Sequence, residues 1–389
     1  MTRFSITADR LTPAQITGVL ALAEAARDAD GVAPLSEHVL LHLRYDSSDP
    51  GTPESPSPDP GQDRDLILTV DQAPGGSEDS PGGFGGDAGG EASGGFRGDA
   101  GSEASGGFRG DAGGETSGEF GGNAGGDAPG GCEEIAGYAH LDAATSPGEA
   151  DLTAELAIHP GHRREGLGLG LVRALTAEAG GHPVRLWAHG DLPAAAALAR
   201  AAGFDRVRAL WQMRRSLAGL LDQPRFPPGI TLRTFRPGRD EDEWLNLNRR
   251  AFAGHPEQGA WTRRDLELRE REPWFDPAGF FIAERNGAMA GFHWTKVHGP
   301  AEGNIGEVYV VGVDPGEQGT GLGRALTLAG LHDLQGRGLA EVMLYADEDN
   351  VPAIRLYEAL GFIHWRTDAM YRDLRGAPPP ANPPANPRS

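Results

Sequence analysis

Two stretches of the chain read as copies of one another: "TAELAIHPGHRREGLGLGLVRAL" from Thr153 to Leu175 and "VYVVGVDPGEQGTGLGRAL" from Val308 to Leu326. Each opens as an apolar strand, halts at a His-Pro or Asp-Pro step, turns through glycines and enters a helical run. The neighbouring segments match as well. "VMLYADEDN" follows the second copy as "VRLWAHGDL" follows the first, and "LYEALGF" answers "LARAAGF". In the second half a strand at Thr231–Phe235 precedes helices near Trp244–Phe252 and Thr262–Arg269 and a hairpin of Phe280–Arg285 with Met289–Val297. Strand Glu307–Val313, helix Gly321–Arg337, strand Val342–Ala346, helix Val351–Leu360 and strand Phe362–Tyr371 complete it. The first half shows the same order between Arg3–Thr7 and Phe204–Arg214. A repeat of this size restricts the chain to a tandem pair of α/β units, each able to bury a core.

The expected boundaries are a first domain at 1–222, a linker at 223–229 ("DQPRFPPG" spans the junction), a second domain at 230–375 and a disordered tail at 376–389. The 59 glycines concentrate in one place. From Gly82 a twelve-residue unit recurs as "GGFGGDAGGEAS", "GGFRGDAGSEAS" and "GGFRGDAGGETS", then decays to "GEFGGNAGGDAP". With one aromatic per unit and no periodic apolar face, ordering it would cost backbone entropy with little burial in return. Residues 71–133 are therefore expected to be a disordered acidic insertion that lengthens a hairpin between "RDLILTV" and "EIAGYAHLD".

The glycine loop carries the chemistry. In Gln318-Gly319-Thr320-Gly321-Leu322-Gly323 the missing side chains leave backbone N–H groups free to converge at a helix N-terminus, an arrangement that holds phosphate. No Gly-Lys-Ser/Thr follows, which argues against a P-loop nucleotidase. The loop follows hairpin-like strands rather than the first strand of a parallel unit, which argues against a dinucleotide fold. A single glycine turn would be an ordinary helix cap; the same strand–loop–helix context in both copies points to pyrophosphate.

The Gln-x-x-Gly-x-Gly loop after a strand, followed by "NVPAIRLYEALGF" from Asn350 to Phe362, resembles the GCN5-related N-acetyltransferase family. The resemblance spans both halves. It implies two domains, each a mixed, mostly antiparallel sheet flanked by helices, and acetyl-CoA as co-substrate. Carried onto this chain, it places pantetheine along Val311, Gly312 and Val313, pyrophosphate at Gln318 to Gly323 with Arg324, and the thiol end beside Asn350, Val351, Pro352, Ala353, Ile354 and Arg355. In the first half the corresponding residues are Leu156, Ala157 and Ile158, then Arg164, Glu165, Gly166, Leu167, Gly168 and Leu169.

The stretches "DGVAPLSEHVLLHL", "AFAGHPEQGAWT", "GFHWTKVH" and "GEVYVVGVDP" resemble, more narrowly, tandem members of this family from actinobacteria. Those proteins acetylate the cysteinyl amine of cysteinyl-glucosaminyl-inositol, the last step of mycothiol biosynthesis. The resemblance implies substrate contacts from Glu37, Glu257, Lys296, Glu307 and Tyr345. His255, beside a proline, is more often structural in such a setting.

Acetyl transfer to an amine needs a base, an oxyanion donor and an acid for the leaving thiolate. The second half offers Glu307 as base and Tyr357 as acid, with Asn350 and Tyr345 nearby in sequence. At the matched places the first half has Leu152, Ala199, Leu192 and Trp187. Catalysis is expected in the second half alone, with cofactor binding retained in the first.

A formal charge of −21 disfavours nucleic acid and anionic membrane as partners. The chain shows no apolar run of about 20 residues, and "MTRFSITADRLTPAQ" lacks a signal-peptide core. A lone Cys132 makes no internal disulfide, so a reducing cytoplasm is the expected compartment; the chain is also expected to be a monomer. No His/Cys/Asp set shows metal-ligand spacing, so no metal is expected. Two rival functions stay open on sequence: transfer to another amine, such as an aminoglycoside or a protein, and a non-catalytic acyl-CoA sensor.

Overall fold

The computed structural model describes residues 3–8, 10–46, 63–71, 134–142, 151–299 and 303–373. Apart from Asp71, which ends a strand, the insertion expectation lies outside the described residues, as does the tail expectation. The described residues all belong to one compact unit.

In the first half β1 (Arg3–Ala8), α1 (Pro13–Asp30), α2 (Glu37–Leu41), β2 (Arg64–Asp71) and β3 (Glu134–Leu141) lead to β4 (Leu152–Ile158), α3 (Leu167–Glu178), β5 (Val184–Ala188), α4 (Pro193–Ala202) and β6 (Phe204–Ser216). The second half repeats this with β7 (Ile230–Thr234), α5 (Glu241–Ala251), α6 (Pro256–Gly259), α7 (Arg263–Glu270), β8 (Phe280–Arg285) and β9 (Ala288–Val297). It ends with β10 (Gly306–Val313), α8 (Leu322–Gly336), β11 (Glu341–Asp347), α9 (Val351–Ala359) and β12 (Ile363–Asp373). Local signals explain the element ends. Thr12 and Gln15 form a capping box for α1, which stops at Gly31 with φ +67°. The expected hairpin is present, since β2 and β3 pair antiparallel from Arg64–Leu141 to Val70–Glu134.

The strands form one sheet in the order β1-β2-β3-β4-β5-β12-β6-β11-β10-β9-β8-β7. The last strands are exchanged. β12 pairs with β5 of the first half, β6 pairs with β11 of the second, and β6 and β12 pair with each other at the centre. The cores follow the exchange. Ala369 and Tyr371 are buried with Leu152, Leu171 and Phe204, whereas Met213, Leu217 and Leu221 are buried with Val342, Leu344 and Tyr357. Each half thus completes its sheet and core with a strand from the other.

Fragments 1–222 and 230–389 should therefore fail to fold separately, because β11 would lose its partner along its whole length and become an apolar edge. Co-expressed, they should associate and copurify. A second-half fragment that folds alone, with native circular dichroism, would show the exchange to be dispensable.

One difference between the copies bears on the site. In β10 the pairing to β9 shifts between Val308 and Val310, so Tyr309 is the extra residue of a β-bulge, whereas β4 pairs with β3 without a shift. The parallel register also sets Gly306 opposite Val342 as Leu152 sits opposite Val184. Glu307 therefore corresponds to Thr153, not to Leu152 as matching by sequence alone expects. The sequence match counts through the bulge and lands one residue off.

Candidate acetyl-transfer site

β10 and β11 pair in parallel only over Gly306–Val308 and Val342–Leu344. Beyond that point the strands part, and Val311, Gly312 and Val313 keep β9 as their one strand partner. Their other edge has no strand partner, the Val313 carbonyl there accepting a long 3.5 Å bond from Gln318 Nε2, and it can pair with an extended ligand. The first half has the same divergence after Ala154, with Leu156, Ala157 and Ile158 in the matching place.

The glycine loop follows. Gly319 and Gly321 take left-handed φ values of +76° and +90°, and Gly321 caps α8 without a side-chain acceptor for its first N–H groups. A Cβ at Gly321 would meet nothing within 4 Å, so the space above the loop is open. In the first half Gly166 is likewise left-handed at +84°, but Arg164 stands at +71° where the second half has glycine. Arg163, the counterpart of Gln318, is held by Asp30 at 2.7 and 2.8 Å. Both loops have the anion-cradling shape, and only the first carries this arginine clamp. Arg324 extends to Asp222 at 2.7 Å.

At the start of α9 the Asn350 side chain accepts a hydrogen bond from the Ala353 N–H at 3.3 Å. Val351, Pro352 and Arg355 are exposed, whereas Ile354 is buried in the core rather than turned to a ligand. Tyr357 lies within the same core, edge-on to Phe362, and burial pushes its hydroxyl up to about 12. It is therefore protonated at neutral pH. A cleft of about 940 Å³ opens beside Asn350 and Pro352, with His255, Asp347, Arg208 and Arg372 among its lining residues.

Beside Glu307 and Lys296, which face each other across β10 and β9, the two halves meet. Glu37, at the start of α2, accepts from the Lys296 ammonium at 2.5 Å and from the Tyr309 hydroxyl at 2.6 Å. Tyr309 in turn accepts from Arg269 Nε at 2.8 Å. Burial opposes charge on Glu37, but Lys296 and Arg269 outweigh it and hold the carboxylate below its usual range. Lys296 also lies 4.5 Å from the centre of the Trp274 ring, and Arg269 packs 3.9 Å over Trp261. Glu307 Oε2 lies 2.6 Å from His298 Nε2, and both groups are largely buried. Tyr345 OH accepts from Gln212 at 2.9 Å; burial, then the charges of Glu307 and Asp368, raise its pKa, so it stays neutral.

Among the residues singled out from sequence, Glu37, Lys296, Glu307 and Tyr345 thus share one face of the sheet. Glu257 lies in α6, and its side chain is outside the described residues. His298, Tyr309, Arg269 and Gln212 were not singled out. His298 could have been, since strand alternation puts it on the face of Lys296, two residues earlier. Tyr309 could have been on the same ground, since it stands two residues after Glu307 on its strand.

This architecture is that of a tandem GCN5-related N-acetyltransferase. The Acetyltransferase (GNAT) family profile matches residues 242–362. In structure the chain is similar to a GCN5-related N-acetyltransferase from Sphaerobacter thermophilus, at 20% identity and a TM-score of 0.57, covering 94% of this chain and 95% of that one. It is also similar to a tandem GNAT protein from the clavulanic acid biosynthesis pathway, at 18% identity and a TM-score of 0.57, covering 95% and 98%. In sequence it is 49% identical to the mycothiol acetyltransferase of Thermobispora bispora over 93% of this chain and 97% of that one. It is 47% identical to that of Thermomonospora curvata over 97% and 99%. The chain belongs to the mycothiol acetyltransferase family. Among the described residues no helix is long and apolar enough to cross a membrane.

Proposed function

We propose that the second half transfers acetyl from acetyl-CoA to the cysteinyl amine of cysteinyl-glucosaminyl-inositol. The observation that carries this reading is the asymmetry of the copies. The Glu307–His298 pair, the bulge at Tyr309 and buried Tyr357 occur in the second half, where the first has Thr153, an unshifted strand and Ala199.

Acetyl-CoA supplies the acyl group as a thioester. The loop from Gln318 to Gly323 and the α9 start would hold it, and a main-chain N–H among Val311 to Val313 would face the developing oxyanion. Glu307 takes the proton from the acceptor amine, with His298 fixing the carboxylate. Glu37, Lys296 and Tyr345 bind the polyhydroxylated acceptor, so the first half contributes directly to the acceptor pocket. Tyr357 returns a proton to the departing thiolate, a task its neutral hydroxyl can perform. The first-half loop is a second acetyl-CoA site without chemistry.

The test is an assay of the purified chain with acetyl-CoA and cysteinyl-glucosaminyl-inositol, read as free CoA. A folded protein that binds acetyl-CoA but shows no turnover would overturn the reading. Tyr357→Phe should lower kcat by roughly 10²-fold or less, because the thiolate is a good leaving group and needs modest acid help. Its KM for acetyl-CoA should stay near wild type. A large rise in KM with kcat unchanged would make Tyr357 a packing residue only.

A further inference from the structure

The first half carries side chains of its own at the place that corresponds to the acceptor pocket. Counted from the pairs Gly137–Ile158 and Gly291–Val313, Trp294 and Lys296 of β9 correspond to His140 and Asp142 beside β3. His140 is fully buried. Its Nε2 lies 3.1 Å from Asp142 Oδ1, and His38 Nε2 lies 3.0 Å from the same oxygen. One potential ligand atom from each of His38, His140 and Asp142 lies within 4.8 Å of those of the other two. We propose that His38, His140 and Asp142 form a binding site for a divalent transition metal of the zinc class.

Three features of the geometry support this. First, an ion held tetrahedrally at zinc–ligand distances has neighbouring donor atoms roughly 3.3 Å apart, close to the two nitrogen–oxygen separations of 3.0 and 3.1 Å, and the set as a whole lies within 4.8 Å. Second, the other ring nitrogen of His140 lies 2.9 Å from Asp65 Oδ1, which fixes the tautomer that presents Nε2 to an ion. Asp65 is itself held, by the Tyr138 hydroxyl at 2.6 Å and His42 Nε2 at 3.0 Å. Third, the His38 side chain is 49% exposed and that of Asp142 25%, which gives an entry path and room for water as fourth ligand.

Two imidazole nitrogens with one carboxylate favour zinc, cobalt or nickel over magnesium and calcium, which prefer oxygen donors. The exchange balances: the two imidazolium Nε2 protons leave and one divalent cation enters, so the local charge is unchanged. Protons compete with the ion for these nitrogens, so binding should strengthen as pH rises. His38 directly follows Glu37, so a bound ion would tie α2 to β3 and steady the carboxylate that crosses to Lys296.

The test uses the full chain, stripped by a chelator and titrated with Zn²⁺ against a chromophoric competitor, with Co²⁺ as a spectroscopic probe. The expected result is one equivalent of Zn²⁺, a tetrahedral-type Co²⁺ spectrum and no binding of Mg²⁺. His38→Ala, at a half-exposed position that should not disturb folding, should abolish stoichiometric binding. Asp65→Asn should weaken it by about 10- to 100-fold, as for other residues that orient a metal-bound histidine. The wild-type melting temperature should rise with Zn²⁺ and that of His38→Ala should not. No bound Zn²⁺, or equal affinity in His38→Ala, would reduce the cluster to imidazolium rings hydrogen-bonded between aspartates. Loss of binding in His42→Ala with His38→Ala unaffected would also overturn the assignment, by moving the ion to His42, Asp63 and His140.

Discussion

Replacing Glu307 by glutamine should lower kcat by about 10²- to 10⁴-fold, the range over which a positioned base contributes. Glutamine is nearly isosteric and can still accept a hydrogen bond from His298, so the fold should be kept and the loss should be one of proton transfer. Acetyl-CoA affinity should change little, because the loop and the strand edge that would hold it are backbone. The pH dependence of the residual rate should collapse onto the ionisation of the acceptor amine. The checks are a pH–rate profile, a melting curve and acetyl-CoA binding by calorimetry. Wild-type turnover in this variant would assign the base elsewhere, to bulk water or another group.

The second large effect concerns the two loops. Gly321→Val should abolish acetyl transfer. Gly321 stands at φ +90°, where a β-branched residue costs on the order of 1–3 kcal/mol, a factor of roughly 5 to 150 in population of the bound-ready loop. The new side chain would also project into the open space above the loop, where close approach of phosphate to backbone is needed. Gly166→Val makes the same change at φ +84° in the first half and should leave turnover mostly intact while removing a second bound acetyl-CoA. Mass spectrometry under native conditions counts the bound molecules. Equal loss of turnover in both variants would show that the halves do not divide the work in this way.

Much of this protein could be read from its sequence. The duplicated strand–loop–helix, the hairpin interrupted by glycine repeats and the order of elements in each half all depend on local periodicity and turn residues, which act over a few positions. The same holds for the glycine loop in each half as a turn into a helix N-terminus. Glu37 and Lys296 were reachable only through family resemblance, since a spacing of 259 positions carries no physical signal.

The tertiary structure decided the rest. Which half owns β6 and β12 is a matter of strand pairing at long range, and the exchange leaves each half's periodicity unchanged. The bulge at Tyr309 inserts a single residue, too small a shift to disturb an apolar pattern, yet it moves Glu307 into register with Thr153. His38, His140 and Asp65 lie on three elements that meet only when β3 pairs with β2 and α2 packs against them. Sequence determines the units because their hydrogen bonds are local; the sites lie between elements because convergence of side chains from distant elements depends on how the sheet closes.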